Sequence, residues 1–276
     1  MTLAPSTMAP AIIETRSLSK TFESGTEALR DVTLKVREGS FTALLGPSGC
    51  GKSTLLRIVS GLISPTSGEL QTHFEGQGGL GYVFQDATLM PWATAQANVA
   101  MPLDLLGIEK SIKEERVRDA LKLVGLEGFE DAYPRALSGG MKMRVSIARA
   151  LASKPKILLL DEPFAALDEI TRNKLNDDIL RIARDEELTV LFVTHSIYES
   201  VYLADRIIVM APRPGRAFAQ YDIDAPAVRD QDYRLSQSYG ETCKLISAAM
   251  ATAIESGESG SEFSSSEEPA VEVRDV

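Results

Sequence analysis

Apolar and polar positions alternate along residues 11–45, in "AIIETRSL", "LRDVTLKV" and then "FTALLG". Gly25 and the stretch Glu38-Gly39-Ser40 punctuate them, which predicts three strands joined by turns. "STLLRIVSGL" (53–62) switches to helical period and closes on Gly61, and "PTSGELQTHFEGQGGLGYVFQ" (65–85) returns to short strands and turns. Beyond it, "SIKEERVRDALKLVGL" and "GGMKMRVSIARALA" are amphipathic helices with no clear strand between them. "KILLLDEP" (156–163), "LTVLFVTHS" (188–196) and "DRIIVMAP" (205–212) are short continuous apolar runs, as expected of strands buried on both faces of a parallel sheet. Strands, a helical insert, then alternating strands and helices predict an α/β core interrupted by an all-helical subdomain. The expected boundaries are a core over 11–215 with the helical insert at about 86–155, and a small helical extension over 216–254. The extension carries one helical stretch, "YRLSQSYGETCKLISAAMATAI" (233–254).

Charge changes this picture only at the end of the chain. The net charge is −10, but residues 255–276 hold seven acidic residues and one arginine, so the body carries only −4. That Ser- and Glu-rich segment is too poor in apolar groups to pack and is expected to be a disordered acidic tail. No basic stripe points to nucleic acid. No stretch approaches the ~18–20 uninterrupted apolar residues of a membrane span, and the N-terminus lacks the basic-then-apolar pattern of a signal peptide. Cys50 and Cys243 are the only cysteines, far apart and without a metal-ligand pattern, which suits a reducing compartment. Among 276 residues no internal repeat is visible.

Between the strand "FTALL" and the helix "TLLRIVSGL" lies "GPSGCGKST", comprising Gly46, Pro47, Ser48, Gly49, Cys50, Gly51, Lys52, Ser53 and Thr54. It fits G-x-x-x-x-G-K-[ST] in the strand–loop–helix context that gives the motif its meaning. The glycines let backbone N–H groups converge, and with the helix N-terminus they form a nest for a polyphosphate. Lys52 is expected on β- and γ-phosphate oxygens, the Ser53 hydroxyl on Mg²⁺ and Thr54 near the α- and β-phosphates. Cys50 reads as a small filler residue.

A magnesium nucleotide also needs a carboxylate. "KILLLDEP" brings Asp161 and Glu162 out at the end of a buried strand, at the sheet edge where α/β proteins bind ligands. Asp161 would bind Mg²⁺ through its water shell, and Glu162 would orient the attacking water as general base. His195 ends another apolar strand, and its neutral imidazole is expected to bridge the γ-phosphate and the carboxylate. Gln85, after a third short strand, can ligate Mg²⁺ or the water. His73 falls in a turn-rich segment and reads as surface.

Taken together these residues resemble an ATP-binding cassette subunit: Phe22 in "KTF", "GPSGCGKST", Gln85, "LSGGM" (137–141), "ILLLDEP", "ALD" (166–168) and His195, in the family's order and spacing over residues 11–215. The resemblance implies a P-loop NTPase core with an antiparallel β subdomain and the helical insert, and an ATPase that uses ATP and Mg²⁺. It places adenine on Phe22; aromatic stacking of this kind is worth ~1–3 kcal/mol. It also implies that two cassettes pack head to tail. Ser138, Gly139, Gly140 and Met141 of one, with Asp168, would then close over the triphosphate held by the other. Free N–H groups at a helix start attract anions, and side-chain-free glycines allow close approach. Met141, Val145, Ala148 and Ala152 recur at helical spacing, giving that helix an anchoring face. The family's commonest residue at position 141 is Gln; here it is Met141.

"LMPWATAQANVAMPL" (89–103) and "APRPGRAFAQYDID" (211–224) are similar to importer subunits for nitrate, sulfonates, taurine or bicarbonate. The implied partners are a second cassette, membrane permease subunits received at Pro91 and Trp92, and indirectly an external substrate-binding protein, with the chain on the cytoplasmic face of the inner membrane. Two other classes compete. A soluble cassette ATPase acting on ribosomes or nucleic acid would usually carry two cassettes, long inserts or basic tails. A monomeric P-loop enzyme would lack "LSGG" and "ALD".

Overall fold

A computed structural model of the chain describes residues 10–73, 78–226 and 228–258. The first two strands, β1 (Ala11–Thr21) and β2 (Glu27–Arg37), form an antiparallel pair, and β4 (Ser67–Thr72) adds to the free edge of β1. The main sheet has six strands in the order β5 (Leu80–Val83), β6 (Ile157–Asp161), β7 (Thr189–Thr194), β3 (Phe41–Leu45), β8 (Arg206–Ala211) and β9 (Arg216–Asp222). The first five run parallel and β9 is antiparallel to β8. Helix α1 (Lys52–Val59) follows β3. Helices α2 (Ala95–Leu105), α3 (Lys110–Leu123) and α4 (Gly139–Leu151) make the insert between β5 and β6. Helices α5 (Glu169–Asp185) and α6 (Ile197–Leu203) follow β6 and β7, and α7 (Gln231–Leu235) and α8 (Gln237–Glu258) close the described chain.

The continuous apolar runs are explained by two cores on opposite faces of one sheet. Leu44, Ile157, Leu159, Leu191, Val193 and Ile208 face α1 and the β1–β2–β4 sheet. Their neighbours Ala43, Leu45, Leu158, Leu160, Val190, Phe192 and Ile207 face the other helices. Successive residues thus point to opposite faces and are buried on both. Val145 and Ala148 of α4 and its C-cap Ala152 join the second core with Met141 packed against its margin, so the expected anchoring face is present.

The structure differs from the sequence expectation in four places. Residues 95–105 form α2, which the pattern did not suggest because Pro102 interrupts a weakly periodic stretch; the Thr94 hydroxyl caps its start by accepting from the Ala97 N–H. Residues 216–222, expected in the helical extension, form β9 on the main sheet. The single C-terminal helix is two: Ser236 is extended, and its hydroxyl accepts from the Tyr239 N–H at the start of α8. Helix α8 also runs through Glu258, into the segment expected as tail, whose remainder lies outside the described residues.

Phe192 is fully buried between the rings of Phe41 and Phe164, at centroid separations of 5.9 and 6.0 Å. Phe192→Ala should therefore lower the unfolding free energy by about 3–5 kcal/mol in urea titration.

Candidate active site

Sheet order brings the strand ends together. Asp161 pairs with Val193 across β6 and β7, and Leu45 pairs with Thr194 across β3 and β7. Asp161-Glu162, Thr194-His195 and the start of the Gly46 loop therefore emerge side by side at one edge.

The loop between β3 and α1 needs its glycines. Gly49 and Gly51 have φ of +77° and +89°, a region costly to residues with a Cβ. A Cβ on Gly46 would stand 2.6 Å from the Cys50 sulfur. Cys50 is the small buried filler expected; burial pushes its thiol up, so it is a poor nucleophile. Lys52 is almost fully buried, and its ammonium donates to the carbonyls of Gly46 at 2.8 Å and Pro47 at 2.9 Å, with Glu162 Oε1 at 3.5 Å.

The Ser53 hydroxyl donates to Asp161 Oδ1 at 2.7 Å, and the Tyr82 hydroxyl donates to Oδ2 at 3.1 Å. Burial, reinforced by Asp161, holds the Tyr82 phenol well above its usual range, so it remains a donor. Glu162 adopts a left-handed backbone, φ +46°, while its N–H donates to the Val193 carbonyl at 3.0 Å. This strained conformation turns the side chain off the strand line, and Oε2 meets His195 Nδ1 at 2.9 Å. Gln85, Ser48, Gly49, Gly51, Lys52, Ser53, Thr54 and Glu162 all line one cleft of about 790 Å³. Phe22 sits on the β1–β2 hairpin, 39% exposed, with the Lys20 ammonium 5.4 Å from its ring centroid; it is not among the cleft's lining residues.

Ser138, Gly139, Gly140, Met141 and Asp168 do not line this cleft either. They form a separate surface. The Ser138 hydroxyl caps α4 by accepting from the Met141 N–H at 3.3 Å, and the Asp168 carboxylate caps α5 by accepting from the Thr171 N–H at 3.0 Å. That bond holds the Asp168 carboxyl below its ordinary range. The two glycines differ. A Cβ on Gly140 would lie 2.7 Å from Thr171 Cγ2, so the fold itself requires glycine there. Gly139 is exposed, and a Cβ would make only an ordinary contact with Leu167 at 3.6 Å. Among the described residues nothing calls for Gly139 to be bare.

The loop after Gln85 is clamped from two sides. Arg149 of α4 donates to the carbonyls of Ala87 and Thr88, both at 2.9 Å. Fully buried Asn98 of α2 accepts from the Met90 N–H at 2.7 Å and donates to the Thr94 carbonyl at 2.9 Å. Pro91 and Trp92 project from this braced loop, and Trp92 is 76% exposed.

Four further side chains at or near the site carry no signal in the sequence. Tyr82 reaches Asp161 only because β5 lies beside β6. Glu199, buried on α6, accepts from the Thr194 hydroxyl at 2.5 Å and lies 3.6 Å from the Arg172 guanidinium. Arg172, in the first turn of α5, also donates to the Leu167 carbonyl at 2.7 Å. Burial pushes Glu199 up, opposed by Thr194 and Arg172. Arg213 lines the cleft from a distant part of the chain.

Residues 29–165 match the family model described as ABC transporter. The chain is 49% identical over 226 residues to an uncharacterized ABC transporter ATP-binding protein, MJ0412 of Methanocaldococcus jannaschii, covering 79% of this chain and 85% of the relative. The chain belongs to the ABC transporter ATP-binding proteins. As a member of that family it is an ATP-hydrolysing transporter subunit. The cassette is 46% identical over 208 residues to the aliphatic sulfonates import ATP-binding protein SsuB 1 of Pseudomonas savastanoi pv. phaseolicola, covering 75% of this chain and 84% of that one. Its fold matches the ATP-binding cassette MJ0796, solved as a dimer in a post-hydrolysis state with ADP and Pi, at TM-score 0.68 and 32% identity over 78% of this chain and all of that one. It also matches cbiO1 of Clostridium perfringens, part of the transporter complex cbiONQ, at TM-score 0.71 and 26% identity over 88% and 99% of the two chains.

The two signature glycines of the cassette should separate in a stability assay. Gly140→Val should lower unfolding free energy by about 1–3 kcal/mol through collision with Thr171, with part of the loss recovered by Thr171→Ala. Gly139→Ala should leave it unchanged or raise it by up to about 1 kcal/mol in the same denaturation series.

Proposed function

We propose that this chain energises import of a small anion of the sulfonate, taurine, nitrate or bicarbonate class through separate membrane permease subunits. The observation carrying this reading is the 44–46% identity, over three quarters of the chain, to sulfonate-import ATP-binding proteins from Pseudomonas and Bacillus licheniformis. Two copies would pack head to tail, with Ser138, Gly139, Gly140, Met141 and Asp168 of one facing the triphosphate in the other's cleft. The exposed and sterically unconstrained Gly139 supports this, since its bareness serves no contact at home. The expected site for this pairing is the cytoplasmic face of the membrane.

Within the cleft, backbone N–H groups of the Gly46–Thr54 loop and Lys52 would bind the phosphates, with Phe22 at the base. Ser53 Oγ and Asp161 Oδ1, 2.7 Å apart, are hard oxygen donors suited to Mg²⁺, with Gln85 at the cleft wall as a further oxygen. Among the described residues no three His, Cys, Asp or Glu side chains cluster as a metal cage. That suits an ion completed by phosphate oxygens and water. Bound there, Mg²⁺ would neutralise charge on the β- and γ-phosphates.

Glu162 would accept the proton of the attacking water. His195 holds Glu162 through Nδ1, which fixes the carboxylate's orientation. A ring that donates to both Glu162 and a γ-phosphate oxygen carries protons on both nitrogens, so the neutral imidazole expected from sequence can serve only one of them. The braced loop at Pro91 and Trp92 would pass closure of the pair to the permease. An exposed tryptophan on a rigid support suits an interface anchor.

Glu162→Gln should bind MgATP and remain paired on size-exclusion chromatography while turnover falls at least about 100-fold; undiminished hydrolysis would refute the assigned base. In proteoliposomes holding the permease, Trp92→Ala should weaken cassette–permease association by about tenfold or more and depress substrate uptake, while the isolated subunit keeps its ATPase rate. Uptake that responds to none of the four anions would overturn the substrate class.

A further inference from the structure

The β8–β9 turn, residues 212–215, crosses the outside of the phosphate-binding loop and is held from both sides. The Gly215 N–H donates to the Ala28 carbonyl at 3.0 Å, and its carbonyl accepts from the Arg30 N–H at 2.9 Å. A Cβ on Gly215 would stand 2.1 Å from the Cys50 carbonyl oxygen, so backbone lies directly on the loop. From the opposite side comes the last turn of α8, where a Cβ on Gly257 would stand 2.6 Å from the Pro212 carbonyl oxygen.

Between these two contacts sits Arg213, with a left-handed backbone at φ +57°. Its side chain is exposed and lines the same cleft as Ser48, Gly49 and Lys52. Among the described residues Arg213 has no ion pair or hydrogen bond. The carboxylate on the same lip, Glu27, is already paired with Arg30, whose Nε donates at 2.9 Å. A cation without a partner among the described residues thus stands at the mouth of a cleft suited to a polyanion. Guanidinium groups match phosphate oxygens with paired donors, and an exposed one attracts the ligand as it approaches.

We propose that Arg213 is a nucleotide-phosphate contact contributed by the C-terminal part of the chain, positioned by the seating of α8 on Pro212. The inference rests on the reading of the cleft as the ATP site. It makes the C-terminal helix part of the nucleotide-binding apparatus although it lies outside the cleft.

The test uses the full chain, fluorescent mant-ATP titration and steady-state ATPase assays. Arg213→Gln should raise the dissociation constant about fivefold and Arg213→Glu more, with Arg213→Lys within about twofold of the parent. The KM for ATP should rise by the same factor with kcat changed by less than about twofold, and added salt should shrink the difference. Gly257→Leu, or the milder Gly257→Ala where the first does not fold, should weaken binding in the parent but not in the Arg213→Gln background. Parent-like binding by Arg213→Gln and Arg213→Glu, with Lys52→Ala still abolishing it, would overturn the inference and leave the ATP site standing. No binding by the parent chain would overturn the site itself. Equal losses from the Gly257 variants in both backgrounds would remove α8 from the proposal.

Discussion

The chemistry of this cassette depends on parallel pairing of three strands, β6, β7 and β3, in register. That pairing sets Asp161, Thr194 and Leu45 level at one sheet edge. One residue beyond each strand end stand Glu162, His195 and Gly46, the last opening the glycine loop that leads to Lys52. The strands are held by apolar side chains on both faces, so the edge is rigid and the polar groups beyond it are preorganised. The cost appears locally, in the left-handed backbone of Glu162. The sheet tolerates it because the same residue's N–H completes a bond to Val193.

The surface formed by Ser138, Gly139, Gly140, Met141 and Asp168 obeys a different constraint. Ser138 and Asp168 cap their own helices, so both side chains already have work inside the chain. Gly140 is likewise explained at home by Thr171. Gly139 alone has neither a strained backbone nor a crowded Cβ position. Among the described residues no contact requires a glycine at 139, and the head-to-tail pairing proposed above would supply one.

Much of this was legible in the sequence because strand-terminal chemistry is a local signal: an apolar run ending in Asp-Glu or in Thr-His announces both the strand and the edge. The glycine loop was legible for the same reason. What escaped depends on which strands lie side by side or on contacts between remote segments. Tyr82 acts on Asp161 through sheet order, and Arg213 reaches the cleft through the placement of β8 and β9. Helix α2 was hidden because its stability comes from Asn98 and packing on α3 and α4 rather than from periodicity. The break at Ser236 was hidden because a serine that caps one helix looks, in sequence, like a residue inside another.

The first turn of α5 joins the Gly140 end of α4 to the strand end that carries His195. Thr171 packs on Gly140 at the signature helix, Asp168 caps the turn, and Arg172 links the Leu167 carbonyl to Glu199 and thence to Thr194, one residue before His195. In the head-to-tail pair proposed above, the signature face of each chain would touch one nucleotide while its His195 would touch the other. A single helical turn then connects the two sites by direct contacts. The consequence of that arrangement would be cooperativity: neither nucleotide could be engaged or cleaved without altering the footing on which the other is held.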